Sequence, residues 1–181
     1  MITNIMKVEK ITISAVLTAI SIIIPMICPK VVLPLFTATF MAHVPIMIAI
    51  CISTDVAVMV TIGTSVGFAF AYSSMPLGYV RSFAHIFFVI IACYLLNKKI
   101  NIFITIIISG IIHAISETIL IYFLFLPESQ NNPNVILIIS LCLCAFLHHI
   151  IDSICTSFFV VPLKKSKLIK RNFNVKRFKE E

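Results

Sequence analysis

The stretch that decides the fold is IFITIIISGIIHAISETILIYFLFL, residues 102–126. Its 25 residues carry one charge, Glu117. At a rise of about 1.5 Å per residue a helix of this length exceeds the roughly 30 Å hydrocarbon core of a bilayer. His113 and Glu117 stand four residues apart and therefore share one helix face. An ionisable pair in hydrocarbon costs several kcal/mol unless it is paired or wet. The stretch is thus expected to cross a membrane as a helix with its polar face turned towards other protein.

The rest of the chain repeats the pattern. Of 181 residues 60% are hydrophobic and 12% charged, against about 45–50% and about 25% in soluble domains; the mean hydropathy is +1.12. The expected class is an all-α integral membrane protein with six transmembrane helices, over residues 11–28, 38–52, 56–71, 79–96, 102–126 and 135–161. A Pro-punctuated loop, Pro29 to Pro34, follows the first span and is expected not to be helical. Further outer loops are expected at 72–78 and 127–133, and Ser53-Thr54-Asp55 reads as a tight inner turn that caps the third span. The apolar runs are continuous rather than alternating, which argues against a β-barrel. Residues 1–163 are expected to form one six-helix transmembrane domain and 164–181 a basic cytoplasmic tail, with no room for a nucleotide-binding or catalytic domain.

Charge placement orients the bundle. Of fourteen Lys and Arg, eight follow Pro162, two precede the first span (Lys7, Lys10) and two sit at Lys98-Lys99; Lys30 and Arg81 are the exceptions. With six spans the first three groups share one side, which the positive-inside rule makes cytoplasmic: N-in, C-in, in a cell membrane. The tail then reads as an anchor to the anionic headgroups of the lipid bilayer and not as a nucleic-acid-binding arm. The first apolar run lacks a small-x-small cleavage site and reads as a retained span. The six cysteines lie in or beside apolar runs without a Cys-x-x-Cys pair and read as packing residues. Ala15-x-x-x-Ala19 and Gly63-x-x-x-Gly67 each offer a flat face for close helix approach. Spacing alone makes both packing surfaces within the chain.

Eight ionisable residues fall within expected spans: His43, Arg81, His85, His113, Glu117, His148, His149 and Asp152. Arg81/His85, His113/Glu117 and His148/Asp152 are four apart, so each pair shares a helix face. By depth, Arg81 lies near the outer end, and His43, His85, Glu117 and His113 descend from it as the lining of an outward pocket. His148, His149 and Asp152 are expected nearer the midplane, as its floor or as a structural network. Arg81 is permanently charged and its planar fork matches a carboxylate; a salt bridge to Glu117 is the competing role. Residue type leaves four chemistries open. His43 and His85 could be axial haem ligands, or His85, His113 and Glu117 could hold a metal. Membrane-embedded hydrolysis lacks its His-Glu-x-x-His string, and a small polar solute is the fourth choice.

With six spans, a structured first outer loop, Ala15-x-x-x-Ala19 and polar residues gathered in spans four to six, the chain resembles the substrate-capture subunit, or S component, of energy-coupling factor vitamin transporters. The segments Thr37 to Ile46, Gly63 to Phe68 and Leu77 to His85 are similar to the niacin-type branch. The resemblance implies an outward-facing vitamin pocket and docking on a transmembrane T component bearing two ATPase subunits. It implies no cofactor in this chain, ATP being used by the partner subunits, and no enzymatic activity of its own. It moves Ala15 and Ala19 from internal packing to partner binding. It also implies that Arg81 takes the carboxylate of nicotinate, that His43, His85, Glu117 and His113 supply polar contacts to the ring, and that Tyr79, Phe83 and Phe40 stack on it. Another vitamin is the alternative substrate, and a haem- or metal-binding membrane subunit the alternative class. Metal-specific members begin Met-His; this chain begins Met1-Ile2-Thr3, which speaks against cobalt or nickel cargo.

Overall fold

In a computed structural model, residues 2–33, 36–73, 76–125, 135–165 and Ile169 are described. The chain runs α1 (Ile2–Ile27), β1 (Lys30–Leu33), β2 (Phe36–Thr39), α2 (Val44–Ile52), α3 (Thr54–Ala71), α4 (Pro76–Asn97), α5 (Ile102–Phe125) and α6 (Val135–Lys165). Five of these helices, all but α2, are long and apolar enough to cross a membrane. Their outward residues are hydrocarbon, such as Phe70, Phe123 and Ile136 at 83%, 75% and 77% exposed, while the interior holds Arg81, Glu117, Asp152 and all five histidines. Apolar outside and polar inside is the arrangement of a multi-pass membrane protein.

The expected second span, 38–52, is corrected. Its first residues belong to β2, which pairs antiparallel with β1 in the register Lys30 with Thr39 through Leu33 with Phe36. Helix α2 begins only at Val44, with Pro45 at a position where a missing N–H costs nothing. Nine residues span about 13 Å, less than half of a bilayer core. Residues Val44 to Cys51 are buried all round, so α2 is the central rod of the bundle and not a lipid-facing helix. The Pro-punctuated loop is not helical, as expected: 30–33 form strand β1.

Contacts at the ends define the passage. At one end Lys10 Nζ donates to Asp55 Oδ2 at 2.6 Å and Asn97 Nδ2 to Thr54 Oγ1 at 3.4 Å. Ser53 caps α3 by accepting the Val56 N–H at 3.4 Å. At the other, the Phe40 N–H donates to the Pro29 carbonyl at 3.0 Å and the Tyr72 hydroxyl to the Ile22 carbonyl at 2.8 Å. The segment Phe36 to Ile52 therefore passes from the hairpin end to the Ser53 end as strand, turn and helix.

Helix α1 packs on α3 through the glycines. A Cβ at Gly63 would meet the Thr18 side chain at 3.0 Å, and one at Gly67 would overlap the Ile22 side chain. One core cluster joins α2, α3 and α4 around Ile46, Val60 and Phe88; another joins the hairpin to α5 and α6 around Phe36, Ile121 and Leu141. The 97–101 turn closes with the Ile100 N–H on the Leu95 carbonyl and Lys99 left-handed at φ 59°, a Schellman ending of α4 with lysine where glycine is usual. Helix α6 includes Lys164 and Lys165, and Ile169 is buried; the rest of the expected tail and the loop at 127–133 lie outside the described residues, as do Pro34, Ser74 and Met75 of the other two loops.

Candidate functional site: a polar cavity under the hairpin

The turn joining β2 to α2 is the centre of the site. Met41 is left-handed at φ 66°, a conformation that costs an L-residue about 1–2 kcal/mol. Asp152 of α6 holds it there. Its Oδ1 accepts the Met41 N–H at 2.9 Å, and its Oδ2 accepts both the His43 backbone N–H and the His43 Nδ1–H at 2.9 Å. His148 Nε2 adds to the same knot, 3.2 Å from Asp152 Oδ2 and donating to the Thr39 carbonyl at 3.0 Å. Asp152 and His148 do pair, as their spacing suggested, and Asp152 pairs with His43 as well.

On the other wall, Arg81 of α4 donates from Nη2 and Nε to Glu117 Oε2 at 2.6 and 3.2 Å, and from Nη1 to the Thr37 carbonyl of β2 at 3.0 Å. Its guanidinium lies over the Phe36 ring, 4.5 Å from the centroid, a cation–π contact. The salt bridge weighed against ligand binding is thus present. A guanidinium has five N–H donors, so two remain uncommitted.

The carboxylate of Glu117 joins both walls. Its Oε1 is 3.1 Å from His85 Nε2 and 3.2 Å from His113 Nε2, and His85 Nε2 is 3.2 Å from His43 Nε2. His113 Nδ1 meets His149 Nδ1 at 3.2 Å, and His149 Nε2 meets Ser109 Oγ at 3.2 Å. Phe88 seals the underside, its ring 4.9 Å from that of His113 and 5.1 Å from that of His149. The rings of His43 and His85 meet edge to face, their planes 76° apart.

A cavity of about 360 Å³ opens onto this cluster. Arg81, His43, His85 and Glu117 line it, while His113 is fully buried behind them. Tyr79 is half-buried outside the lining; Phe83 and Phe40 are 47% and 44% exposed and do not belong to it either. The aromatic lining comes instead from Phe68 and Tyr72, and Lys30 stands at the rim. Tyr72 lies just past α3, where burial pushes its hydroxyl above the ordinary range and keeps it a neutral donor. Sequence spacing had no means of finding Phe68 or Thr37, because Thr37 comes from strand β2 and Phe68 from the end of α3, neither on a periodic polar face. A larger groove of about 630 Å³ between α2, α4, α5 and α6 is nearly all carbon and borders the cluster only through Phe88, Ser109 and His149. The polar cavity is where a small solute finds directional partners.

Over 124 residues the chain is 35% identical to the niacin transporter NiaX of Lactococcus lactis subsp. cremoris (strain MG1363). The chain is similar to a niacin transporter. That agrees with the branch its own segments resemble, and the relative is a transporter, not an enzyme. The alignment covers 64% of this chain and 55% of the relative, so the chain spans about half the length of the curated relative it matches. No family model matches the chain, and no solved structure does. Five apolar spanning helices and this likeness make it a multi-pass protein of the plasma membrane.

Proposed function

We propose that this chain is the membrane-embedded substrate-capture subunit of an energy-coupling factor vitamin importer, and that its polar cavity takes nicotinate. The carrying observation is the cavity of about 360 Å³ with Arg81 in its wall, in a chain similar to a niacin transporter. Two uncommitted N–H groups on a guanidinium already fixed by Glu117 and Thr37 form a preorganised fork for a carboxylate. Lys30 at the rim adds long-range attraction for an anion, and Phe68 and Tyr72 supply ring faces. Phe36 to Ile52 counts as a sixth crossing, made of strand and short helix. Both ends of the chain then face the cytoplasm by the distribution of Lys and Arg, and the hairpin faces outward as a lid. Delivery runs through a T component with two ATPase subunits, which meet α1 at Ala15 and Ala19.

Calorimetric titration of the detergent-purified chain tests the reading. Nicotinate binds, nicotinamide binds at least about ten-fold more weakly for want of the anionic charge, and Arg81→Lys, which keeps the charge but not the fork, falls between wild type and Arg81→Ala. Equal nicotinate affinity in wild type and Arg81→Ala overturns the assignment.

A further inference from the structure

The lower part of this cavity has a donor set that hydrogen bonding does not exhaust. Ser109 donates its one hydroxyl proton to the Ile106 carbonyl at 3.2 Å, so it accepts from His149 Nε2–H. His149 Nδ1 then carries a lone pair and accepts from His113 Nδ1–H, which leaves a lone pair on His113 Nε2. His43 gives its Nδ1 proton to Asp152, which leaves a lone pair on His43 Nε2. These tautomers follow from the network. The His43 Nε2 lone pair and Glu117 Oε1 both meet the single atom His85 Nε2, and the His113 Nε2 lone pair faces Glu117 Oε1, so one proton at most is available for three acceptors. His113 Nε2 is fully buried, 3.2 Å from Glu117 Oε1, and has no hydrogen-bond partner among the described residues.

The distances match a different bonding scheme. Zinc–nitrogen and zinc–oxygen bonds of about 2.0–2.1 Å put tetrahedral ligand atoms about 3.3 Å apart. The edges His43 Nε2 to His85 Nε2, His85 Nε2 to Glu117 Oε1 and His113 Nε2 to Glu117 Oε1 are 3.2, 3.1 and 3.2 Å, and all four atoms lie within 4.8 Å of one another. Three of the four residues also have the outer partner that metal ligands keep: Asp152 behind His43, His149 behind His113 and Arg81 behind Glu117. Charge points the same way, since the buried interior holds two carboxyl groups, Glu117 and Asp152, against one guanidinium, that of Arg81, which pairs with Glu117. We propose that His43, His85, His113 and Glu117 bind one divalent transition-metal ion of the zinc class.

The site stands on side-chain geometry alone, whichever small molecule enters above it. Resting further on the nicotinate reading, the ion supplies positive charge to a cavity in which the carboxyl group of Glu117 otherwise faces an entering anion.

The test uses the full chain without a polyhistidine tag, stripped with a chelator and then dialysed against zinc(II) or cobalt(II) alone. About one ion per chain remains after gel filtration, and the cobalt form shows the intense visible d–d absorption of a tetrahedral site. Glu117→Gln and His113→Gln, checked for native elution volume, each weaken binding at least about ten-fold, while Ser140→Ala, on the exposed face of α6, leaves it unchanged. Metal content near zero in wild type, or retention undiminished in both ligand variants, overturns the proposal. Nicotinate titrated into stripped and loaded samples separates the two readings: nicotinate bound with no metal uptake removes the ion alone, and metal bound with no nicotinate response removes the vitamin alone.

Discussion

Asp152 does more for the architecture than its neighbours do. Two backbone N–H groups and one imidazole N–H end on its two oxygens, and they hold Met41 in the left-handed region. Asp152→Asn replaces one acceptor oxygen with an amide that faces a backbone donor, and leaves a buried N–H unsatisfied. The expected cost is about 1–3 kcal/mol, read as a lowered melting temperature in detergent. Met41→Gly in the same background removes the steric cost of the positive φ and returns about 1 kcal/mol. No recovery in the double variant would mean that the turn is held by something other than Asp152. At this scale the sequence was informative about type and poor about partners. The i,i+4 pairs located the polar faces of α4, α5 and α6 correctly, and Arg81, His43, His85 and Glu117 do converge. Phe40 and Phe83 look like ring-stacking residues in the sequence, yet both are about half exposed and outside the cavity lining, because aromatic character says nothing about which side of an element a residue takes.

Among elements, the two four-residue motifs went separate ways. Gly63 and Gly67 receive Thr18 and Ile22 of α1, so they pack within the chain, as their spacing suggested. Gly67→Ala is expected to cost about 1–3 kcal/mol by overpacking, with most of the loss recovered by Ile22→Ala in the same chain. Gly78→Ala, whose added methyl meets nothing within 4 Å, is the control and leaves the melting temperature unchanged. An unaltered Gly67→Ala would mean that α1 and α3 separate freely. The second span shows where hydropathy stops being decisive. Residues 38–52 are apolar enough to read as one helix, but Thr37, Ala38 and Thr39 pair with Lys30 to Val32 instead. Four-residue strands are too short for a period of two to declare itself, and a helix buried on every side, like α2, looks from sequence like one facing lipid.

For the whole molecule, the question is which lipid-facing surface is also a protein-facing one. Helix α1 is two-faced in an unusual way. Ser14 and Ser21 are buried and Thr18 lies against Gly63, while Ala15, Val16, Ala19 and Ile20 are exposed along the opposite stripe. Lipid is as apolar as leucine, so it gives no reason to keep alanine there; a flat stripe is useful only where another helix comes close. Since no described element covers Ala15 or Ala19, bulk added at these positions leaves the bundle undisturbed. The double variant Ala15→Leu, Ala19→Leu is expected to keep the wild-type melting temperature and nicotinate affinity, because both residues are exposed and neither lines the polar cavity, which α1 meets only at Pro25. Its co-purification with a T component and ATPase subunits is expected to fall at least about ten-fold, a loss of roughly 1.4 kcal/mol or more in association free energy. Full co-purification would place the partner on another face and return Ala15 and Ala19 to ordinary lipid contact. Loss of nicotinate binding together with co-purification would instead mean that α1 carries strain into the cavity, through Thr18 and Ile22 to α3. Measuring ligand affinity and complex yield on the same preparation distinguishes these outcomes.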